Sequence, residues 1–227
     1  MSYLINQVLS SEEVSRVRDI LKGSANWKDG MNTVKNPSKL NRKIKDCYNL
    51  SQSCDEYHQA CDVVFKGLDN CKSFGEHTVP DKSGPILYSK TIKGGYYKPH
   101  HDCPSNGEYS NTLFLSNPLE YGGGELSLLI NGEVNNFKLK PGMMITYPTG
   151  VPHEVKQVTR GSREVAVFWT KSKFKNEILR TAYSDGLRCA KLIDGYKVYS
   201  NIEEAHNDPT FILQKLLNNL ERLNQTL

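Results

Sequence analysis

Three residues of this chain, His100, Asp102 and His153, and an arginine ten positions further on, Arg163, are of the types and in the spacing that metal redox chemistry uses. Two imidazoles and one carboxylate on one face of a β-scaffold are the ligand set of a non-haem ferrous oxygenase, which leaves three coordination positions open. An arginine held inside the same shell offers a forked, permanently charged partner to a dicarboxylate co-substrate. In an extended strand side chains at i and i+2 share a face, so His100 and Asp102 point at one centre while His101 faces the other way and is left out of the ligand set. Taken alone, the pair reads more readily as a polar loop after Pro99, and Arg163 as a solvated hairpin shoulder. The surrounding elements decide.

Those elements read as strands. Tyr109 to Leu129 supplies an apolar run, a turn at Asn117-Pro118, the glycines Gly122 to Gly124, and a second apolar run. Residues 133–139 alternate into the turn Lys140-Pro141-Gly142, and the strand 143–148 follows. Residues 151–158 are expected to pair with residues 163–169 across a short turn from Thr159 to Ser162. Period-two parity puts His153, Val155 and Gln157 on one side of the first arm, and Arg163, Val165, Val167 and Trp169 on one side of the second. Such a hairpin brings an imidazole and a guanidinium into one interior.

Helices flank this region. Ser10 or Ser11 caps a first helix with Glu12 and Glu13 in its opening turn; it buries Val14, Val17 and Leu21 and ends at Gly23. A second helix, about 52–68, carries Tyr57, Ala60, Cys61, Val64 and Leu68 as one stripe and leaves His58 in solvent. His77 and His206 have no ligand-like partners and are assigned to solvent as well. Near the end of the sequence, Asp208 caps and Pro209 opens a helix whose Leu213, Leu216, Leu217 and Leu220 should dock on the sheet or form a homodimer contact.

The segments "GGYYKPHHD", "TLFLSNPLEYGGGEL", "KPGMMITYPTGVPHEVKQVTRGSREVAVFWTKS" and the opening "INQVLSSEEVSRVRDIL" resemble the PKHD-type hydroxylases, a branch of the prolyl-4-hydroxylase-like Fe(II)/2-oxoglutarate dioxygenases, over residues 3–172. The resemblance implies a mainly β fold with flanking helices (α+β), built on a double-stranded β-helix or jelly-roll core. It implies iron ligands His100, Asp102 and His153, and Arg163 as the partner of the 2-oxoglutarate C5 carboxylate. Many relatives carry a tyrosine upstream of the iron motif where this chain has Thr91; Tyr88 and Tyr97 lie close by and, with Trp169, are the candidates for the remaining co-substrate contacts. Fe(2+), 2-oxoglutarate, dioxygen and ascorbate as a reductant are the implied cofactors. The implied reaction is hydroxylation of a prolyl or other peptidyl side chain with decarboxylation of 2-oxoglutarate to succinate. A small-molecule hydroxylase, or a cupin-like metal-binding module without oxygenase activity, is the alternative on the same scaffold. The expected organisation is an N-terminal flank (1–80), a catalytic core (81–172) and a C-terminal helical extension (173–227).

Composition fits an enzyme with one sizeable core: 227 residues, 37% hydrophobic and 24% charged. No apolar run approaches the roughly 20 residues of a membrane span, and the opening lacks a basic segment followed by a long apolar stretch, so a cytoplasmic protein is expected. The six cysteines contain no C-x-x-C pair and are expected to stay reduced. Lys35, Lys39, Arg42, Lys43 and Lys45 form a basic run that is read as a solvated surface, with the approach to an acidic substrate as the alternative. Nucleic acid is disfavoured as its partner because no aromatic residue interleaves the charges and the net charge is only +4.

Overall fold

The computed structural model describes residues 3–34, 44–193 and 199–226. The order of elements is β1 (Leu4–Gln7), α1 (Ser11–Gly23), β2 (Trp27–Asp29), β3 (Lys45–Asp46), β4 (Tyr48–Leu50), α2 (Asp55–Asn70), α3 (Lys72–Thr78), β5 (Pro80–Ser83), β6 (Leu87–Ile92), β7 (Tyr96–His100), β8 (Tyr109–Phe114), β9 (Gly122–Gly123), β10 (Leu126–Ile130), β11 (Glu133–Phe137), β12 (Met143–Pro148), β13 (His153–Val155), β14 (Val158–Arg160), β15 (Ser162–Ser172), α4 (Glu177–Leu192), α5 (Ile202–His206) and α6 (Pro209–Thr226). The larger sheet runs β1-β12-β8-β15-β6-β4-β2 with β5 also on β15, and the smaller runs β11-β10-β13-β7-β3. All pairings are antiparallel, and the two sheets are the walls of a jelly roll.

Strand parity builds two cores from one sheet. Along β15, Ala166 and Phe168 face α1 and α2, where they meet Val17, Leu21, Val64 and Leu113. Val165 faces the other way, toward Phe114, Leu126, Ile145 and Tyr147 between the sheets. Neighbouring side chains of a strand point to opposite faces, so an uninterrupted apolar run such as Leu113-Phe114-Leu115 is what a strand covered on both sides requires. The first helix forms as its sequence dictates. Ser10 Oγ accepts from the Glu13 backbone amide while Glu13 reaches back to the Ser10 amide, satisfying two otherwise orphaned donors.

Several expectations are corrected by the tertiary structure. Residues 151–158 do not pair with β15: β13 lies between β10 and β7 in the smaller sheet, and β14 pairs with β9. Gly161, at φ +71°, turns the chain from β14 into β15, but the two arms then enter different sheets. His153 and Arg163 therefore face each other across the barrel rather than side by side. Gln157 lies beyond the end of β13, exposed and bonded to the Gly94 carbonyl. His77, in a short helix the sequence did not announce, is half-buried and tilted against Tyr109 at 5.3 Å between ring centroids. Burial lowers its basicity.

The C-terminal helix starts at Pro209, with Asp208 accepting from the Thr210 amide. It packs on α4 rather than on a sheet, through Leu213, Leu217 and Leu220 against Phe174 and Tyr183, while Leu216 is off that stripe and exposed. Of the basic run, Lys35, Lys39, Arg42 and Lys43 lie outside the described residues. Lys45 is not on a solvated face: it is 7% exposed. Every described cysteine is free, and no helix among the described residues is long and apolar enough to cross a membrane.

Candidate metal and co-substrate site

The smaller sheet brings the two candidate imidazoles together. His100, the last residue of β7, is the direct cross-strand partner of His153, the first of β13, and their ring centroids are 4.2 Å apart. Asp102 lies two residues past the end of β7, in irregular backbone rather than in the extended strand the sequence suggested. It still turns inward. Its Oδ2 accepts a 2.7 Å hydrogen bond from Ser110 on β8, a strand of the opposite sheet. His101 is exposed and stays outside the cluster.

Hydrogen bonds set the imidazoles for coordination. His100 Nδ1 is 2.8 Å from the Lys98 carbonyl and His153 Nδ1 is 2.9 Å from the Val151 carbonyl. A carbonyl oxygen only accepts, so each Nδ1 carries the hydrogen and each Nε2 presents its lone pair inward. Those Nε2 atoms stand 4.0 and 3.7 Å from the two Asp102 oxygens, and one ligand atom from each of the three residues lies within 4.8 Å of the others. Burial, then the neighbouring His153, pushes the His100 imidazolium down to about 4, so His100 is neutral near pH 7. Two imidazole nitrogens and a carboxylate, each anchored from behind, form a donor set that fits a ferrous ion.

All three line one cavity of about 440 Å³, within the roughly 300–1,000 Å³ usual for small-molecule sites. Arg163 lines it too, from the facing sheet. It is 3% exposed, opposite Thr91 in the β6 pairing, with its guanidinium carbon 5.5 Å from the Phe114 ring centroid. Its Nε has no hydrogen-bond partner, and no carboxylate among the described residues pairs with it. Burial depresses its basicity, yet a guanidinium stays charged. A buried cation without an anion is a costly arrangement unless an anion arrives with a ligand, and a dicarboxylate is such a ligand. Gly124, at φ +69°, makes room: a Cβ there would sit 3.2 Å from Arg163 Cδ and 3.1 Å from the Tyr121 ring.

The remaining sequence candidates divide. Tyr97 lines the cavity and stacks on His100, with centroids 3.6 Å apart at 22°. Trp169 lines it as well, and its buried indole N–H has no partner. Tyr88 does not: strand alternation turns Leu87, Ser89 and Thr91 into the cavity and Tyr88 out of it, fully buried in the helix-side core and edge-on to Tyr57. That corrects its assignment as a co-substrate contact.

Two contributors went unnoticed in the sequence, and a third was misplaced. Ser110 braces Asp102. Tyr147 lies edge-on to His153, with centroids 5.4 Å apart, and burial raises its phenol pKa well above the ordinary range. Lys45 enters from β3. The signal for Lys45 was present as alternation, since Lys45, Cys47 and Asn49 all face the cavity.

The family model of the 2OG-Fe(II) oxygenase superfamily matches residues 86–171. A PKHD-type hydroxylase of Gluconacetobacter diazotrophicus is 34% identical over 186 residues, covering 78% of this chain and 80% of that protein. One of Nitrobacter winogradskyi is 36% identical over 187 residues, covering 76% and 79%. Among solved structures, a prolyl hydroxylase from Trichoplax adhaerens, in complex with a hypoxia inducible factor oxygen degradation domain peptide fragment, superposes with TM-score 0.59 at 17% identity, covering 79% of this chain and 86% of that one. A 2OG-Fe(II) oxygenase family oxidoreductase from Burkholderia pseudomallei gives TM-score 0.55 at 14% identity, covering 74% and 85%. These two likenesses speak to the fold.

Proposed function

Because the chain belongs to the PKHD-type hydroxylases, dioxygenases that use Fe(II), 2-oxoglutarate and dioxygen, we propose that His100, Asp102 and His153 hold its iron, that Arg163 binds the distal carboxylate of 2-oxoglutarate, and that a peptidyl side chain, prolyl first among them, is hydroxylated. The observation that carries this assignment is the buried Arg163, without a carboxylate partner among the described residues, in the same cavity as three inward ligands. A module that only bound metal would have no use for it.

The bound iron and keto acid supply the oxidative chemistry, coupling decarboxylation of 2-oxoglutarate to succinate with insertion of oxygen into a C–H bond. The protein's own residues do the positioning. The Lys98 and Val151 carbonyls hold both histidines in the Nδ1–H tautomer, so neither ring can rotate without losing a hydrogen bond. Arg163 fixes the co-substrate's far end by a two-pronged contact, and the Trp169 N–H offers a further donor on the same strand face. Val155, Val165, Val167 and Leu126 line the space between and keep water from it. The peptidyl substrate is supported by the prolyl hydroxylase neighbour, which was solved with a peptide.

Ser110 is a positioning residue in this scheme. Ser110→Ala leaves Asp102 Oδ2 without its donor, and we expect Fe(II) affinity about 10-fold lower, measured by anaerobic titration with an unchanged unfolding midpoint. The substrate assignment is tested by incubating the iron-loaded enzyme with 2-oxoglutarate, dioxygen, ascorbate and a panel of proline-containing peptides beside cell-extract metabolites. The expected result is a gain of one oxygen on a peptide, with one succinate formed per oxygen inserted. Oxygen gained only by small molecules would overturn the peptidyl assignment while leaving the iron and co-substrate assignments standing.

A further inference from the structure

Two lysine or arginine side chains line the cavity among the described residues: Arg163 from the larger sheet and Lys45 from the smaller one. Lys45, on β3 opposite Tyr97 of β7, is 7% exposed. Its Nζ donates to Thr33 Oγ1 at 3.0 Å and lies 4.9 Å from the Tyr97 ring centroid. Among the described residues no carboxylate comes within ion-pairing distance of it. Thr33 cannot offset the charge, because its hydroxyl already donates to the Gly30 carbonyl and also accepts from Asn49 Nδ2. An ammonium has three N–H donors. One is used by Thr33 and one faces the tyrosine π-cloud, which leaves one for a ligand in the cavity that Lys45 lines.

The place of this cation is informative. The Tyr97 ring that Lys45 covers is the ring stacked on His100, so the ammonium stands one aromatic layer away from a candidate iron ligand. Arg163 approaches from the other sheet. One cation suffices for the distal carboxylate of the co-substrate. With ferrous iron, Asp102, dianionic 2-oxoglutarate, Arg163 and Lys45 counted together, the occupied cavity is left with one positive charge. A substrate carrying one carboxylate close to its reacting carbon would neutralise it. An alkyl side chain of similar length would fill this position at lower desolvation cost than a lysine with no anionic partner.

We infer that Lys45, braced by Thr33 and Tyr97, is a specificity-determining cation that holds a carboxylate of the primary substrate on the His100 side of the cavity. The inference rests on Arg163 serving the co-substrate, and it narrows the proposed peptidyl substrate to one presenting an acidic side chain or its own C-terminal carboxylate beside the hydroxylated residue. A single open donor suits a monoanion rather than a phosphate group, which needs several.

The test uses the enzyme loaded anaerobically with Fe(II) and 2-oxoglutarate, with Trp fluorescence as the binding signal because Trp169 lines the cavity. Four capped probes are compared: acetyl-Pro-Glu-amide against acetyl-Pro-Gln-amide for the side-chain source, and acetyl-Gly-Pro acid against acetyl-Gly-Pro-amide for the terminal source. The wild type should bind one of the acids about 10- to 100-fold more tightly than its matched amide. Lys45→Met should abolish that preference, Lys45→Arg should keep part of it, and 2-oxoglutarate affinity should be unchanged in both. Equal or absent binding of acids and amides by the wild type overturns the inference without recourse to any variant. So does a preference that survives in Lys45→Met. Loss of 2-oxoglutarate affinity in Lys45→Met also overturns it, by transferring Lys45 to the co-substrate. A wild type that forms no 2-oxoglutarate complex at all contradicts the underlying co-substrate assignment instead, so the two failures are distinguishable.

Discussion

Asp102→Ala is expected to lower Fe(II) affinity by more than about 100-fold and to bring 2-oxoglutarate turnover to background. The site has one anionic ligand. Without it two imidazoles remain to hold a dication in a cavity that also contains two basic side chains, Arg163 and Lys45. Even groups that only brace a metal ligand typically contribute 10- to 100-fold in affinity, and a ligand itself contributes more. The fold should survive. Asp102 sits in irregular backbone beyond β7, and its direct hydrogen bond is from Ser110, so the unfolding free energy is expected to stay within about 1 kcal/mol of the wild type. Metal titration and urea unfolding on the same preparation separate these effects; a variant that loses both together would mark Asp102 as structural.

Arg163→Leu carries the second large effect, and it has two signs. The apparent Kd for 2-oxoglutarate should rise by about 100-fold or more, since breaking a buried charge pair from one side costs roughly 3–5 kcal/mol. The free protein should become more stable, by about 1–4 kcal/mol, because the substitution replaces a buried guanidinium that no carboxylate among the described residues pairs with by an alkyl side chain beside Phe114 and Val165. Arg163→Lys keeps the charge but not the fork, and should fall between wild type and leucine in affinity. Affinity lost with stability gained is the signature of a residue kept for its ligand. A destabilised Arg163→Leu with unaltered 2-oxoglutarate binding would make Arg163 a scaffold residue.

The site was legible in the sequence where parity within one strand decides it, and illegible where pairing between distant strands decides it. Alternation along β15 correctly placed Arg163, Val165, Val167 and Trp169 on the cavity side. The expected hairpin between residues 151–158 and β15 was wrong because a tight turn does not oblige its arms to pair. β13 finds better partners in β7 and β10, both more than twenty residues earlier in the chain, and only the folded barrel reveals them. Tyr88 was misplaced by nearness in sequence, when alternation with Thr91 would have turned it away. Lys45 was grouped with its basic neighbours by composition, which is blind to the strand that buries it. Helix α1, by contrast, depends on local signals alone, and its buried stripe and final residue were readable, with its cap narrowed to Ser10 or Ser11.

The most direct test of the central claim, that the two histidines, Asp102 and Arg163 jointly receive ferrous iron and 2-oxoglutarate, is anaerobic titration of the protein with both, followed by visible absorption. The account predicts a metal-to-ligand charge-transfer band that saturates at one iron and one 2-oxoglutarate per chain, is absent in Asp102→Ala, and needs far more 2-oxoglutarate to form in Arg163→Leu. No band in the wild type, or one that forms undiminished in Asp102→Ala, would contradict it.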